Sequence, residues 1–494
     1  MKKAIDKINL LELIKKLGSV DKVDLLRSFF NGKYYPIWVA ISVLLGRVTG
    51  LELYFAMFDF VIVAVALLLC DSLRPLIPNL ISFLYRISLE HGPGVPNYST
   101  YYSGAKVVVF FAFGCIFFAS LIYFCIRNKI FSEIGYKKTP LLIPLSILSL
   151  SFLTGGAFTD GWSVRDLGFA SLQVFVFAVM FLLLYFGLRR EKAEEFCDYF
   201  VYVCAVVAVV LCLEVLDLYL SVDGVIANGS IDKDKIYFGW GIPNTCGGAL
   251  SVLIPICFLG AMKSKRYHYV YYIIATLTMI ATALTLSRNA VLIGSVFYIV
   301  CVVLSCFFGD ENNKKVCRIS TLSLAVILFV VCLAFSDEIA TVFVEFKNKG
   351  FDNNGRFYLW EYAWNCFKSS PVFGIGFFSY DPTTYVASDF TPRLAHNTLL
   401  QLLSSMGVFG LGSYLVYRGF TLAPFFKKPR FEKIILMLSE AVLVGESLLD
   451  NFIFWFSPTF VYNIIIVIAF MYCEQENEKK NDSILNTDDP IITL

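Results

Sequence analysis

The sequence predicts an all-α, polytopic membrane protein, and three observations carry that expectation. Of 494 residues, 57% are hydrophobic and only 16% charged, whereas a soluble domain carries about a quarter charged residues. The apolar residues gather into runs near the roughly 20 residues needed to cross a bilayer core. Lys and Arg collect in alternate connections, the asymmetry that orients membrane helices.

In chain order, residues 1–33 interleave Lys with Ile and Leu at helical spacing. They lack a continuous apolar core and a cleavage site, which predicts a basic amphipathic helix on the cytoplasmic leaflet rather than a signal peptide. Residues 34–473 form the membrane domain, with spans expected near 53–70, 105–126, 139–157, 167–188, 198–220, 240–262, 268–286, 289–308, 319–336, 397–417, 431–449 and 453–473. Weaker runs lie near 34–47 and 74–90. The loops holding Arg127/Lys129/Lys137/Lys138, Arg189/Arg190/Lys192, Lys263/Lys265/Arg266, Lys314/Lys315/Arg318 and Lys427/Lys428/Arg430 all fall on one side, the cytoplasm. Connections near 158–166, 221–239, 287–288 and 337–396 then face outward. The basic N-terminus lies inside only if residues 34–104 cross an odd number of times, so the expected count is about 12 to 14 helices. Residues 474–494 are a polar cytoplasmic tail.

The outward loop 337–396 is the longest, and loops of such length are commonly functional. Within it Phe357, Trp360, Trp364 and Phe367 recur at helical spacing before Pro371, predicting a helix with one aromatic face at headgroup level. Pro371, Gly374 and Gly376 predict a tight turn back toward the protein. Thr391 and Pro392 read as the N-cap and first residue of the next membrane helix. That start places Arg393 and His396 on one helical face.

Several functions are excluded. No basic face interleaved with aromatics marks a nucleic-acid surface, and no P-loop, GxSxG, HExxH or Rossmann glycine pattern is present. The fourteen Cys fall mostly within spans without CxxC spacing, as reduced packing residues would. Asp232 and Asp234 form a D-x-D pair interleaved with Lys233 and Lys235, which reads as a solvated loop, so neither metal nor cofactor is expected. His91 reads as a turn residue and His268 as an interfacial one.

Outward connections should be poor in Arg, yet Arg165, Arg288, Arg356 and Arg393 all fall there, together with His396. Arg presents a planar fork of donors suited to phosphate. His is the side chain that can take a proton from a hydroxyl near neutral pH. Glycosyl transfer from a lipid diphosphate to a sugar hydroxyl needs both. Arg288, Arg356, Arg393 and His396 are therefore expected to converge on one outward cavity open to lipid. Glu52, Glu446 and Asp450 are lesser candidate bases.

Four stretches occur in order: GIPNTCGGAL with Pro243 and Asn244, TLSRNAVLIG with Ser287 and Arg288, NNGRFYLWEYAWNCFKSSPVFGIGFFSY with Arg356, Trp360, Pro371, Gly374 and Gly376, and AHNTLLQLLSSMGVFGLGSYL with His396, Asn397, Gly407 and Gly410. Together they resemble the O-antigen ligase and O-antigen polymerase superfamily of bacterial envelope glycosyltransferases. They span residues 240–415, and Asn289 stands where that family usually has Ala or Gly. The resemblance implies a lipid-dependent (GT-C-type) glycosyltransferase fold in the bacterial cytoplasmic membrane. It implies an undecaprenyl-diphosphate-linked glycan donor, a glycan, lipid or protein acceptor, and a role in lipopolysaccharide or other polysaccharide biosynthesis. His396 would be the base, and Arg288 with Arg356 or Arg393 would hold the diphosphate. A transporter or flippase of lipid-linked saccharide is the alternative, for which inverted repeats would be the sign.

Overall fold

The computed structural model describes residues 22–86, 90–92, 95–97, 104–135, 139–160, 162–221, 225–227, 230–232, 235–239, 241–334, 336, 340, 344, 356–378 and 395–485. Its helices, in order, are α1 (Lys22–Asn31), α2 (Tyr34–Thr49), α3 (Glu52–Leu69), α4 (Leu76–Ser82), α5 (Ala105–Arg127), α6 (Ile130–Glu133), α7 (Leu142–Thr154), α8 (Val164–Val174) and α9 (Met180–Leu188). Then follow α10 (Ala193–Leu220), α11 (Pro243–Lys263), α12 (His268–Leu284), α13 (Arg288–Phe307), α14 (Glu311–Ala334), α15 (Arg356–Ser369), α16 (Thr398–Phe426), α17 (Phe431–Leu449) and α18 (Phe456–Leu485). Two short antiparallel hairpins, at 90–97 and 226–231, interrupt the helices.

Among the described residues, eight helices are long and apolar enough to cross a membrane: α3, α8 with α9, α10, α11, α13, α14, α16 and the first part of α18. Four shorter apolar helices accompany them, at 34–49, 111–127, 142–154 and 268–284. The fold is that of a polytopic helical membrane protein. Both weak runs are helical, the second only as the short α4 and a 3-10 turn, Phe83–Tyr85. The predicted amphipathic N-terminal helix falls mostly on residues 1–21, outside the described residues. The last helix continues to Leu485, so much of the polar tail is an extension of α18.

Helix α11 is the axis of the bundle, with every residue from Thr245 to Met262 buried, and it packs against α10, α12, α13 and α17. By contrast, α14 buries only Asn313 and Cys317 among its described residues and turns its Leu, Val and Phe side chains outward. One end of the bundle gathers the basic loops, and these are more than orientation marks. Arg189 pairs with Glu133, Arg74 with Glu191 at 3.0 Å and Lys263 with Asp198 at 2.6 Å. At the opposite end, α11, α13 and α16 begin and α10, α12 and α17 finish.

One sequence expectation is corrected there. The helix expected to start at Thr391 and Pro392 starts at Thr398, capped by Asn397, whose Oδ1 accepts the Leu400 amide at 3.0 Å. His396 therefore precedes the helix and does not lie in its first turns. Thr391, Pro392 and Arg393 lie outside the described residues.

Candidate functional site

Asp450, the residue that closes α17, is the hub of a polar cluster at that end. Its Oδ1 lies 3.0 Å from His396 Nδ1 and accepts the Asn451 amide at 2.7 Å. Its Oδ2 receives Asn244 Nδ2 at 3.5 Å, from the first turn of α11. Burial favours a neutral carboxyl at Asp450, but the hydrogen bond and charge of His396, the Asn451 amide and the Arg356 charge outweigh it and hold its pKa below the usual carboxylate range. Asp450 is thus an anion near neutral pH. In the neutral ring, an anionic acceptor at Nδ1 favours the tautomer that carries its proton there, with the lone pair on Nε2.

His396 occupies the left-handed region at φ 49°, a conformation that costs a non-glycine residue about 1–3 kcal/mol. Its neighbours hold it in place. The Ala395 amide donates to Gln401 Oε1 at 2.7 Å, the same oxygen takes Asn451 Nδ2 at 3.1 Å, and Asn397 Nδ2 reaches Leu448 O at 2.9 Å. These bonds tie the start of α16 to the end of α17 on both sides of the imidazole. The His396 side chain remains 31% exposed, against 13% for Asp450, so a reactant can reach the ring.

Arg356 opens α15 and reaches α13. With the amide of Asn289 assigned by its hydrogen bonds, Oδ1 accepts from Arg356 Nη1 at 2.8 Å and Nη2 at 3.3 Å. Arg288 is the residue before Asn289 and the first of α13. Glu446, one turn before Asp450 on α17, is buried and faces both Asp450 and Arg356. The starts of α11, α13, α15 and α16 therefore meet within one cluster. Each helix start carries a partial positive charge of about half an electron and free N–H groups. Ser287 Oγ and Trp360 Nε1 are buried without hydrogen-bond partners among the described residues.

Arg165 begins a different helix, α8, whose Asp166 ties down the turn expected at Gly374 and Gly376. Asp166 Oδ1 accepts the amides of Phe377 at 2.6 Å and Phe378 at 2.9 Å. The turn itself lies along a break in α16. Ile375 and Gly376 donate to Ser404 O and Ser405 O, while Val408 and Phe409 donate to Pro371 O and Val372 O. This pairing needs backbone contact. A Cβ on Gly374 would stand 2.2 Å from Ser405 C, and one on Gly407, which has φ 66°, would stand 2.3 Å from Val372 C. α15 runs as expected to Ser369, with Phe357 and Trp364 exposed and only Ala363 buried.

Of the residues singled out in the sequence, the structure brings together His396, Asn397, Asn244, Arg356 and Asp450, with Arg288 adjacent to Asn289. Glu52 begins α3. Arg393 and Asp234 lie outside the described residues. The sequence underrated Asp450 and missed Asn289, Gln401, Asn451 and Asp166 as partners. A cavity of about 370 Å³ lies between α3, α4, α5 and α8. None of the predicted site residues lines it, so it is not the donor pocket anticipated from the sequence.

A polytopic membrane protein with a His–Asp pair set among helix starts and Arg side chains defines the class. Residues 273–415 match the O-antigen ligase (Wzy_C) family model, so the chain carries a domain similar to O-antigen ligases. The matched segment runs from α12 into α16 and contains Arg288, Arg356, Trp360, Gly374, Gly376, His396 and Asn397, while Asn244 and Asp450 lie outside it. No curated protein matches the chain.

Proposed function

We propose that this protein is a membrane glycosyltransferase. It moves a glycan from an undecaprenyl-diphosphate carrier to an acceptor hydroxyl at the outer face of the bacterial cytoplasmic membrane, as a ligase or a polymerase. The observation that carries the reading is the His396–Asp450 pair beside Arg356 and the converging helix starts. It supplies a base and an anion-binding surface in one place.

In this mechanism His396 Nε2 takes the proton of the acceptor hydroxyl as its oxygen bonds to the anomeric carbon. The bond from that carbon to the diphosphate oxygen breaks, and the leaving diphosphate keeps the electron pair. Asp450 stabilises the imidazolium that forms and fixes its orientation. Arg288, Arg356, Arg393 and the free N–H groups of the helix starts hold the diphosphate, whose charge rises as it leaves. Arg165, expected from the sequence to help hold the diphosphate, begins α8, the helix whose Asp166 anchors the loop turn. Three crossings before residue 104, α2, α3 and α4, would put the basic N-terminus and all basic loops in the cytoplasm and give 14 spans.

The test is incubation of the purified chain with undecaprenyl-diphosphate oligosaccharide and candidate acceptors, followed by separation of products by size. A ladder marks a polymerase and a single shift a ligase. Translocation without a new bond would overturn the reading in favour of a flippase.

A further inference from the structure

The cavity of about 370 Å³ lies in the other half of the bundle. Its walls are Phe, Leu, Val and Met side chains, the lining typical of small-molecule pockets, with one polar end formed by Asp59, Asn79 and Arg86. Asp59 is 2% exposed. Its Oδ2 accepts from Ser42 Oγ at 2.5 Å and from Arg86, while Arg86 Nη2 donates to Asn79 Oδ1 at 2.9 Å. Asp59 Oδ1, however, is buried with no donor among the described residues. A buried carboxylate oxygen is ordinarily hydrogen-bonded, and one left unpaired is costly.

The walls are shaped for access from the side. Phe118 of α5 and Leu172 of α8 line the cavity and are also exposed on the flank of the bundle. Phe175 and Val176, which line it too, belong to a single π turn, Phe175–Val179. Such turns recur at functional sites. The turn is stabilised from the neighbouring helix, where Asn463 Nδ2 donates to Val176 O at 2.8 Å.

We infer that this cavity binds the hydrocarbon chain of a membrane amphiphile whose hydroxyl head donates a hydrogen bond to Asp59 Oδ1. The charge at the polar end decides the head group. Arg86 already neutralises Asp59, so an anionic or cationic head would leave a net buried charge, whereas a neutral donor completes the network. The site is therefore distinct in chemistry from the diphosphate surface near His396, and it stands or falls independently of glycan transfer.

Gly114 supplies the test, because it lines the cavity and a Cβ there would meet nothing within 4 Å. The full chain in nanodiscs is photolabelled with a diazirine-bearing long-chain alcohol, and labelled residues are mapped by mass spectrometry. Label is expected on the α5 and α8 walls, reduced about tenfold by Gly114→Phe, a loss of about 1.4 kcal/mol in binding. It should be unchanged by Gly412→Phe, an open position on α16 away from the cavity. Size-exclusion profiles confirm that both variants fold. Unlabelled alcohol should compete, and its methyl ether, which cannot donate, should compete more weakly. Labelling indifferent to Gly114→Phe would overturn the site, and equal competition by the ether would overturn the Asp59 contact. Stronger competition by a polyprenyl phosphate would assign the cavity to a carrier lipid instead.

Discussion

The imidazole of His396 and the carboxylate of Asp450 are 3.0 Å apart, and they differ in what each would lose on mutation. General-base catalysis contributes about 10²–10⁴-fold, so His396→Ala should cut turnover by that order while donor binding stays near wild type, measured by single-turnover transfer and donor titration. Arg288→Ala should weaken donor binding as well as turnover, because a clamp on a diphosphate acts in ground and transition states alike. Arg288→Lys should recover only part of that loss, since an ammonium lacks the guanidinium fork. Asp450 carries a pH dependence of definite sign. Its pKa is depressed in the folded state, so its contribution to stability is present above the unfolded value of about 3.9 and is lost as pH falls through the folded value. Thermal melts of the wild type should therefore drop more steeply below about pH 4 than those of Asp450→Asn.

Helix α16 and the segment paired with its break behave as one element. Gly407→Ala places a methyl against the Val372 carbonyl and demands a left-handed backbone from alanine. It should cost about 1–3 kcal/mol, read as a lower melting temperature than that of Gly412→Ala, where the added methyl meets nothing. The sequence showed the glycines Gly374, Gly376 and Gly407 and the aromatic helix, since spacing and turn residues are local signals. It did not show that the turn hydrogen-bonds across the break, because that pairing joins residues 29 to 37 positions apart. The starts of α11 and α13, at Pro243 and Arg288, fall close to the expected spans 240–262 and 289–308. The start of α16 was misread because Thr391–Pro392 is a strong local cap signal, whereas Asn397 caps Leu400 and is held across the bundle by Leu448, a contact that no local pattern encodes. Asp450 looked like an ordinary span-end carboxylate for the same reason.

At the scale of the molecule, basic loops and the His396 cluster occupy opposite ends of the bundle, and the proposed orientation can be read directly. A reporter enzyme active only outside the cytoplasm should work when fused after Asp232 and be silent when fused after Lys265 or Lys428. The reverse pattern would turn the candidate site toward the cytoplasm. Membrane character was legible from composition, and the long spans from the lengths of the apolar runs. The exact share of short helices was not, because α4 and α7 are held by packing against longer neighbours rather than by their own length.

The enclosure of α11 also bears on biogenesis. The chain is synthesised from its N-terminus, so α11 is made before α12, α13 and α17, three of the helices that surround it. One of its bonds, Ser439 Oγ to Val252 O at 2.6 Å, must wait for α17. In the interval its Asn244, Thr245 and Ser251 side chains gain little from lipid and depend on packing that has not yet arrived. The lipid-facing α14 needs no such shelter. The central helix of the mature protein thus completes its enclosure late in synthesis, when α17 is made.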